Sequence, residues 1–207
     1  MAHAEVAQSI AEAVAALRAG ELVVYPTETF YGLAADPESS PAMAQIFALK
    51  GRTPGQPIAL VAADAAAAFA LASEVAPLAR RLAATFWPGP LTLVLPARPG
   101  LHEAVVGPDG VGVRVSSHPI ARGLAAAFGA PITATSANLS GHPPLTRATE
   151  VRAVFGHQLK VLLEDYTLAG GAPSTVVAVT HTGYRIIRDG AVSARAIAAV
   201  AARKEPL

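Results

Sequence analysis

Short, continuously apolar runs alternate with Ala-rich stretches of helical spacing along this chain, and that alternation restricts its fold more than any other feature. Leu22–Tyr25, Ile58–Val61, Leu91–Leu95, Val111–Val115, Ile132–Ala134 and Val161–Leu163 each read as a strand buried on both faces. Helices are expected between them. Val6, Ile10, Val14 and Leu17 recur at helical spacing until Gly20 stops the run. Further helices are predicted over 41–50, about 64–72, about 75–86, 118–128, 148–155 and 193–203, the last with Ser193 as its N-cap. Thr175–Val179 and Tyr184–Ile187 flank Thr182-Gly183 as a hairpin-like pair. Residues 27–39 and 135–146 read as loops. This order predicts an α/β fold, a twisted open sheet with helices on its faces, and the late pair makes the sheet mixed. No repeat, heptad or linker divides the 207 residues, so one domain over 1–207 is expected.

Composition narrows the chemistry. Apolar residues make up 52% and charged residues 15%, enough for a core and too apolar for a disordered chain. The net charge of +1 advertises no large basic field. Thirteen of the sixteen cations are arginines, a residue suited to bidentate contact with phosphate or carboxylate. The absence of cysteine excludes disulfides, thiolate catalysis and Cys-ligated zinc, and agrees with a cytoplasmic location. The histidines at 3, 102, 118, 142, 157 and 181 show no metal-ligand spacing, so no protein-held metal is expected. The N-terminus lacks the pattern of a signal peptide. The longest apolar stretch, Ile58–Ala72, contains Asp64 and is too short to span a bilayer, so no membrane association is expected.

Familiar catalytic signatures are missing. There is no GxSxG elbow, no GxxxxGK[ST] phosphate loop and no GxGxxG after a strand. Six polar segments remain, each at a strand or helix end. Tyr25-Pro26-Thr27-Glu28-Thr29-Phe30-Tyr31-Gly32-Leu33 places hydroxyls at a sheet edge, where α/β folds bind ligands; a loop of Thr turns and core aromatics is the plain alternative. Lys50-Gly51-Arg52-Thr53 sets two cations around a glycine at a helix end. They suit a helix C-terminus with solvated tips, the commoner case for such a pair, or a polyphosphate that Gly51 lets approach. Arg114 lies inside an apolar strand. It either meets a carboxylate or phosphate ligand or stands on an edge strand in solvent. Ala134–Gly141, with its small hydroxyl and amide residues, reads as an anion-binding backbone nest or an ordinary Ser/Asn turn. Pro173–Val177 and Arg188–Ala191 are weaker signals.

Taken together and in this order, the segments resemble the YrdC/Sua5 family of threonylcarbamoyl-AMP synthases. The matching stretches are YPTETFYGL (25–33), LKGR (49–52), PGPLTLVL (88–95), GVRV (112–115), ATSANLSG (134–141), PSTVV (173–177) and IIRDGA (186–191). The length is similar to the short form of the family. The resemblance implies a YrdC-like (YrdC/RibB-like) twisted α/β sheet with a concave, positively lined groove. It implies a nucleotidyltransferase that forms threonylcarbamoyl-AMP and pyrophosphate from ATP, L-threonine and bicarbonate, with Mg2+ on the ATP phosphates. The product feeds N6-threonylcarbamoyladenosine modification beside the tRNA anticodon through a downstream transfer complex, and tRNA is a further implied partner. Carried over residue by residue, Lys50, Arg52, Ser136 and Asn138 form the catalytic and ATP-binding set, with Arg188 on the nucleotide side. Thr27, Arg114, Ala134 and Ser174 hold threonine, with Arg114 pairing its carboxylate. The strand Ile58–Val61 lacks the histidine that long-form members tend to carry there. Two competing readings share the fold: a non-catalytic relative that binds double-stranded RNA or tRNA, and a carbamoyl transferase for another acceptor. The intact Lys50, Arg52, Ser136, Asn138 set argues against the first. The absence of the further domains found in hydrogenase-maturation proteins argues against the second.

Overall fold

The computed structural model describes residues 2–53, 55–159, 161–163 and 167–203, without the side chains of 2–9 and 157. Val6 of the first predicted helix therefore contributes only its backbone, and Pro54 of the loop after Lys50 lies outside the described residues.

Helix α1 (Ala2–Arg18) leads into strand β1 (Val23–Pro26), which folds back as β2 (Tyr31–Ala34). There follow α2 (Ser40–Lys50), β3 (Leu60–Val61), α3 (Ala65–Phe69), α4 (Pro77–Phe86) and β4 (Leu91–Leu95). A tight pair, β5 (Val106–Gly107) and β6 (Gly110–Arg114), precedes α5 (Pro119–Phe128). Strands β7 (Ile132–Thr133) and β8 (Thr135–Ser136) are separated by one residue. The remainder is α6 (Ala148–Phe155), β9 (Val161–Leu162), β10 (Thr175–Thr180), β11 (Gly183–Arg188) and α7 (Ala194–Ala201). Ser193 caps α7, its hydroxyl accepting from Ala196 N–H.

The α/β class and the mixed pairing hold, but the strands form two sheets. One has the order β8-β2-β1-β9; the other runs β11-β10-β4-β6-β3-β7. Each contains parallel and antiparallel neighbours. The expected loops over 27–39 and 135–146 each contain a short strand, and both belong to the smaller sheet. β2 pairs antiparallel with β1, and β8 pairs antiparallel with β2. Thr135-Ser136 is polar, and Tyr31–Ala34 is short and broken by Gly32, so no apolar period betrays either strand although Tyr31 and Leu33 are fully buried in the core. Helices α1 and α5 pack on Val23, Tyr25 and Val61, and α4 packs against α7 around Leu82, Ile197 and Val200. Among the described residues no helix is long and apolar enough to cross a membrane.

Thr133 joins the two sheets. It is fully buried; its hydroxyl donates to Leu33 O at 3.0 Å and accepts from Ala35 N–H at 2.8 Å. Its carbonyl accepts the Tyr25 hydroxyl at 3.0 Å. Burial holds that phenol firmly in its protonated, donating form. The chain then crosses from the larger sheet to the smaller at Ala134, whose N–H reaches Ala59 O at 2.7 Å.

Candidate functional site

At this crossing the two sheets open onto a cavity of about 480 Å3, a volume suited to a small-molecule ligand. Its walls include Thr27, Arg52, Arg114, Ala134, Ser136, Ser174 and Arg188. Seven of the nine residues predicted for the site thus share one chamber. Lys50 and Asn138 lie directly behind Ser136 instead.

Each of these side chains is placed by its local fold. Thr27 begins the β1–β2 turn. Its hydroxyl donates to Phe30 O at 2.6 Å and accepts from Thr29 and Phe30 N–H at 3.3 Å, so the turn is built around that one oxygen. Helix α2 is started by Ser39, which accepts from Ala42 N–H, and stopped by Gly51 in the left-handed region at φ 58°. That reversal turns Lys50 into the protein and sends Arg52 to the cavity wall. Lys50 is 3% exposed. Its ammonium donates to Ser136 O, to Asn138 O at 2.7 Å and to Asn138 Oδ1 at 3.4 Å, while Ser140 N–H returns to Lys50 O at 2.8 Å. The 49–52 and 134–141 segments are therefore fastened to each other. The Asn138 amide donates to Leu139 O and His142 O, which leaves Oδ1 turned toward the Ser136 hydroxyl that donates to it.

Burial, then the neighbouring Arg52, pushes the Lys50 ammonium from its ordinary 10.5 down to about 8. Arg52 is itself shifted down by burial. It donates through Nη2 to Pro57 O at 3.0 Å, and its buried Nε has no hydrogen-bond partner among the described residues.

Arg114 ends β6, which runs between β4 and β3; the edge-strand reading of this arginine does not survive. It is 8% exposed and pairs with Glu28. Opposite it, Arg188 donates to Ser174 O at 2.7 Å and to Ser174 Oγ at 3.0 Å, and that hydroxyl lies 3.0 Å from Thr92 Oγ1. Arg188 is shifted down by burial and then by the charge of Arg114. Its hydrogen bonds thus go to a residue predicted for threonine, and the two predicted groups meet here. Gly190 has no room for a Cβ against Pro173 O, and Ala191 N–H bonds that same carbonyl at 2.9 Å, which fixes the 173–177 and 186–191 segments together.

Sequence reasoning did not single out Glu28, Ser116, Thr92 or Asp109. Asp109 lines the cavity and takes Arg185 Nη2 on both oxygens at 2.7 Å. Glu28 was detectable in principle, since a buried strand arginine demands a carboxylate and Glu28 lies inside the first polar segment. The chamber can therefore accept an anion on Arg52 and the charge of Lys50, with the Ser136 hydroxyl joining them once it turns its proton from Asn138 Oδ1. It can accept a carboxylate on Arg114, beside the hydroxyls of Thr27 and Ser174. It presents no cysteine, serine–histidine pair or other activated nucleophile among the described lining residues.

A family model described as Sua5/YciO/YrdC, telomere recombination, matches residues 15–190. A threonylcarbamoyl-AMP synthase from Chromohalobacter salexigens is 43% identical over 180 residues, covering 83% of this chain and 93% of that protein. One from Vibrio cholerae is 39% identical over 172 residues, covering 82% and 92%. The crystal structure of P. abyssi Sua5 complexed with L-threonine superposes with a TM-score of 0.88 at 36% identity over 93% of this chain. The chain spans 57% of the length of that structure.

Proposed function

The chain belongs to the Sua5/YciO/YrdC family, and from that premise we propose that it is a threonylcarbamoyl-AMP synthase. It condenses L-threonine, bicarbonate and ATP into threonylcarbamoyl-AMP, pyrophosphate and water. The observation that carries this reading is the meeting of Thr27, Arg52, Arg114, Ser136, Ser174 and Arg188 around one cavity at the junction of two sheets.

The chemistry needs no protein nucleophile. The threonine amine adds to bicarbonate-derived CO2, loses a proton and becomes a carbamate. A carbamate oxygen attacks the α-phosphorus of ATP, the bond from that phosphorus to the bridging oxygen breaks, and pyrophosphate leaves with the electron pair. The protein contributes placement and charge. Arg114 pairs the threonine carboxylate, with Thr27, Ser174 and the Ala134 backbone shaping the pocket around it. Arg52 and Ser136 meet the phosphates. Lys50 supplies charge from behind, and the Ser136 hydroxyl, which donates to Asn138 Oδ1, turns its proton to the phosphate when ATP binds. Arg188 bridges the two halves, its location beside Ser174 favouring contact with the reacting centre over the far end of the nucleotide.

Mg2+ enters as part of the ATP substrate. The oxygens nearest the proposed phosphate position are the neutral Ser136 hydroxyl and Asn138 amide, and Lys50 lies 3.4 Å from the latter. As acceptors, these neutral oxygens would take hydrogen bonds from waters on the Mg2+ rather than hold phosphate oxygens, and they form no cage of carboxylates. Bound Mg2+ would offset phosphate charge. The product passes to the tRNA-modifying transfer complex, with tRNA itself a further partner. The intact cation set disfavours a purely RNA-binding role.

The test is product analysis with ATP, Mg2+, bicarbonate and labelled threonine, by rapid chromatography and mass spectrometry with pyrophosphate release in parallel. Threonine- and bicarbonate-dependent threonylcarbamoyl-AMP is expected. A folded, ATP-binding sample that yields none refutes the reading.

A further inference from the structure

Arg114 cannot lie where it does without a counter-charge. Its side chain is 10% exposed, and a guanidinium at that depth is costly unless paired. The pair is Glu28, itself 13% exposed. One carboxylate oxygen takes Arg114 Nη1 and the other takes the Ser116 hydroxyl. Ser116 is fully buried and fixed in turn. Its Oγ accepts His118 N–H at 3.1 Å, and its carbonyl accepts Arg122 Nη1 at 2.7 Å. The carboxylate thus has a rigid anchor on the helix α5 side. On its own strand side it is carried by the turn that Thr27 organises.

Arg114 lines the cavity, whereas Glu28 and Ser116 do not. The carboxylate therefore grips the guanidinium from outside the chamber. A guanidinium is planar, so holding one nitrogen in place, with the side chain fixed at its other end by β6, restricts where the remaining donors can lie. A bidentate carboxylate site depends on that placement, because both N–H···O bonds must form at once.

We propose that Glu28 is the positioning residue of the amino-acid site. Anchored by Ser116, it orients Arg114 toward the cavity and so governs affinity for the substrate carboxylate and not for ATP. The proposal rests on the synthase reading and adds a residue to it. Glu28 touches no substrate; it acts through Arg114. A merely structural Glu28 would neutralise a buried charge and affect stability alone, whereas a positioning residue separates the two substrates.

The experiment measures L-threonine and ATP binding by calorimetry for the wild-type chain, Glu28→Gln and Ser116→Ala, with a thermal melt for each. Glu28→Gln keeps the shape and removes the charge; it is expected to weaken threonine about 10- to 100-fold and to leave ATP within about twofold. Ser116→Ala removes one anchor and is expected to weaken threonine about three- to tenfold, again with ATP unchanged. If Glu28→Gln melts at assay temperature, Ser116→Ala carries the test. Unchanged threonine affinity in a folded variant, or an equal loss for both substrates, overturns the proposal. A wild-type chain that binds ATP but no threonine refutes the synthase reading itself, a result distinguishable from failure of the variants.

Discussion

Lys50 carries its charge in the layer behind the cavity wall, and burial changes what pH does to it. The folded ammonium is held below about 8 and is lost as pH rises through that value, well under its ordinary 10.5. ATP affinity should fall in the same window, read as an ATP dissociation constant that climbs through pH 8; a flat ATP profile removes Lys50 as a phosphate cation. Stability moves the other way. Between about 8 and 10.5 the unfolded chain holds the extra proton, so this group makes stability rise with pH there. Arg52→Ala should lower turnover by roughly 10²-fold or more with an unchanged melting temperature, since it removes a phosphate donor that anchors little else. Lys50→Ala should lose turnover and also about 1–3 kcal/mol of stability, because the Ser136 and Asn138 carbonyls lose their donor. Normal product yield from either folded variant sinks the assignment. Arg114→Lys should raise the KM for threonine by roughly 10- to 100-fold with little change for ATP; an effect confined to ATP would place Arg114 elsewhere.

The β7–β8 crossing makes a prediction of its own. Thr133→Val keeps the shape and deletes two hydrogen bonds in a place no water reaches. It should cost about 1–3 kcal/mol by urea denaturation, and a change below the error of that measurement would mean the two sheets are held by packing alone. The elements that meet here also mark what the sequence could and could not reveal. β4 and β6 were readable because LTLVL and VGVRV are apolar runs, and α5 because Gly129 closes it at φ 86°. β2 and β8 were not, because YGLA sits among turn residues and Thr135-Ser136 is polar; β2 folds back on β1 across a short turn, and β8 is held by a pairing more than a hundred residues apart, as between Gly32 and Ser136. The site was legible wherever a residue type announces chemistry, as with Lys50, Arg52 and Arg114. It was not legible where the role depends on an unseen partner, as with Ser116 behind Glu28.

At the scale of the whole molecule, one expected sheet became two, and the cavity lies along their junction. A ligand that touches Thr27 and Ser136 on the smaller sheet and Arg114 and Ser174 on the larger ties the sheets together. Adding ATP and threonine should therefore slow hydrogen exchange in β2 and β8 more than in the helices α4 and α7. Uniform slowing would show that the ligands stabilise the molecule without bridging its halves. The Thr133 crossing has a consequence in time as well as in space. Tyr25 and Thr133 are 108 positions apart, and Leu33 and Thr133 are 100 apart. During synthesis the β1–β2 hairpin leaves the ribosome long before the residue that satisfies its buried groups exists. Loop closure of that span is slow to nucleate. The chamber between the sheets is thus among the last parts of the chain to mature, and a nascent chain stays catalytically silent until Ser174 and Arg188, which complete the cavity wall, have also been made.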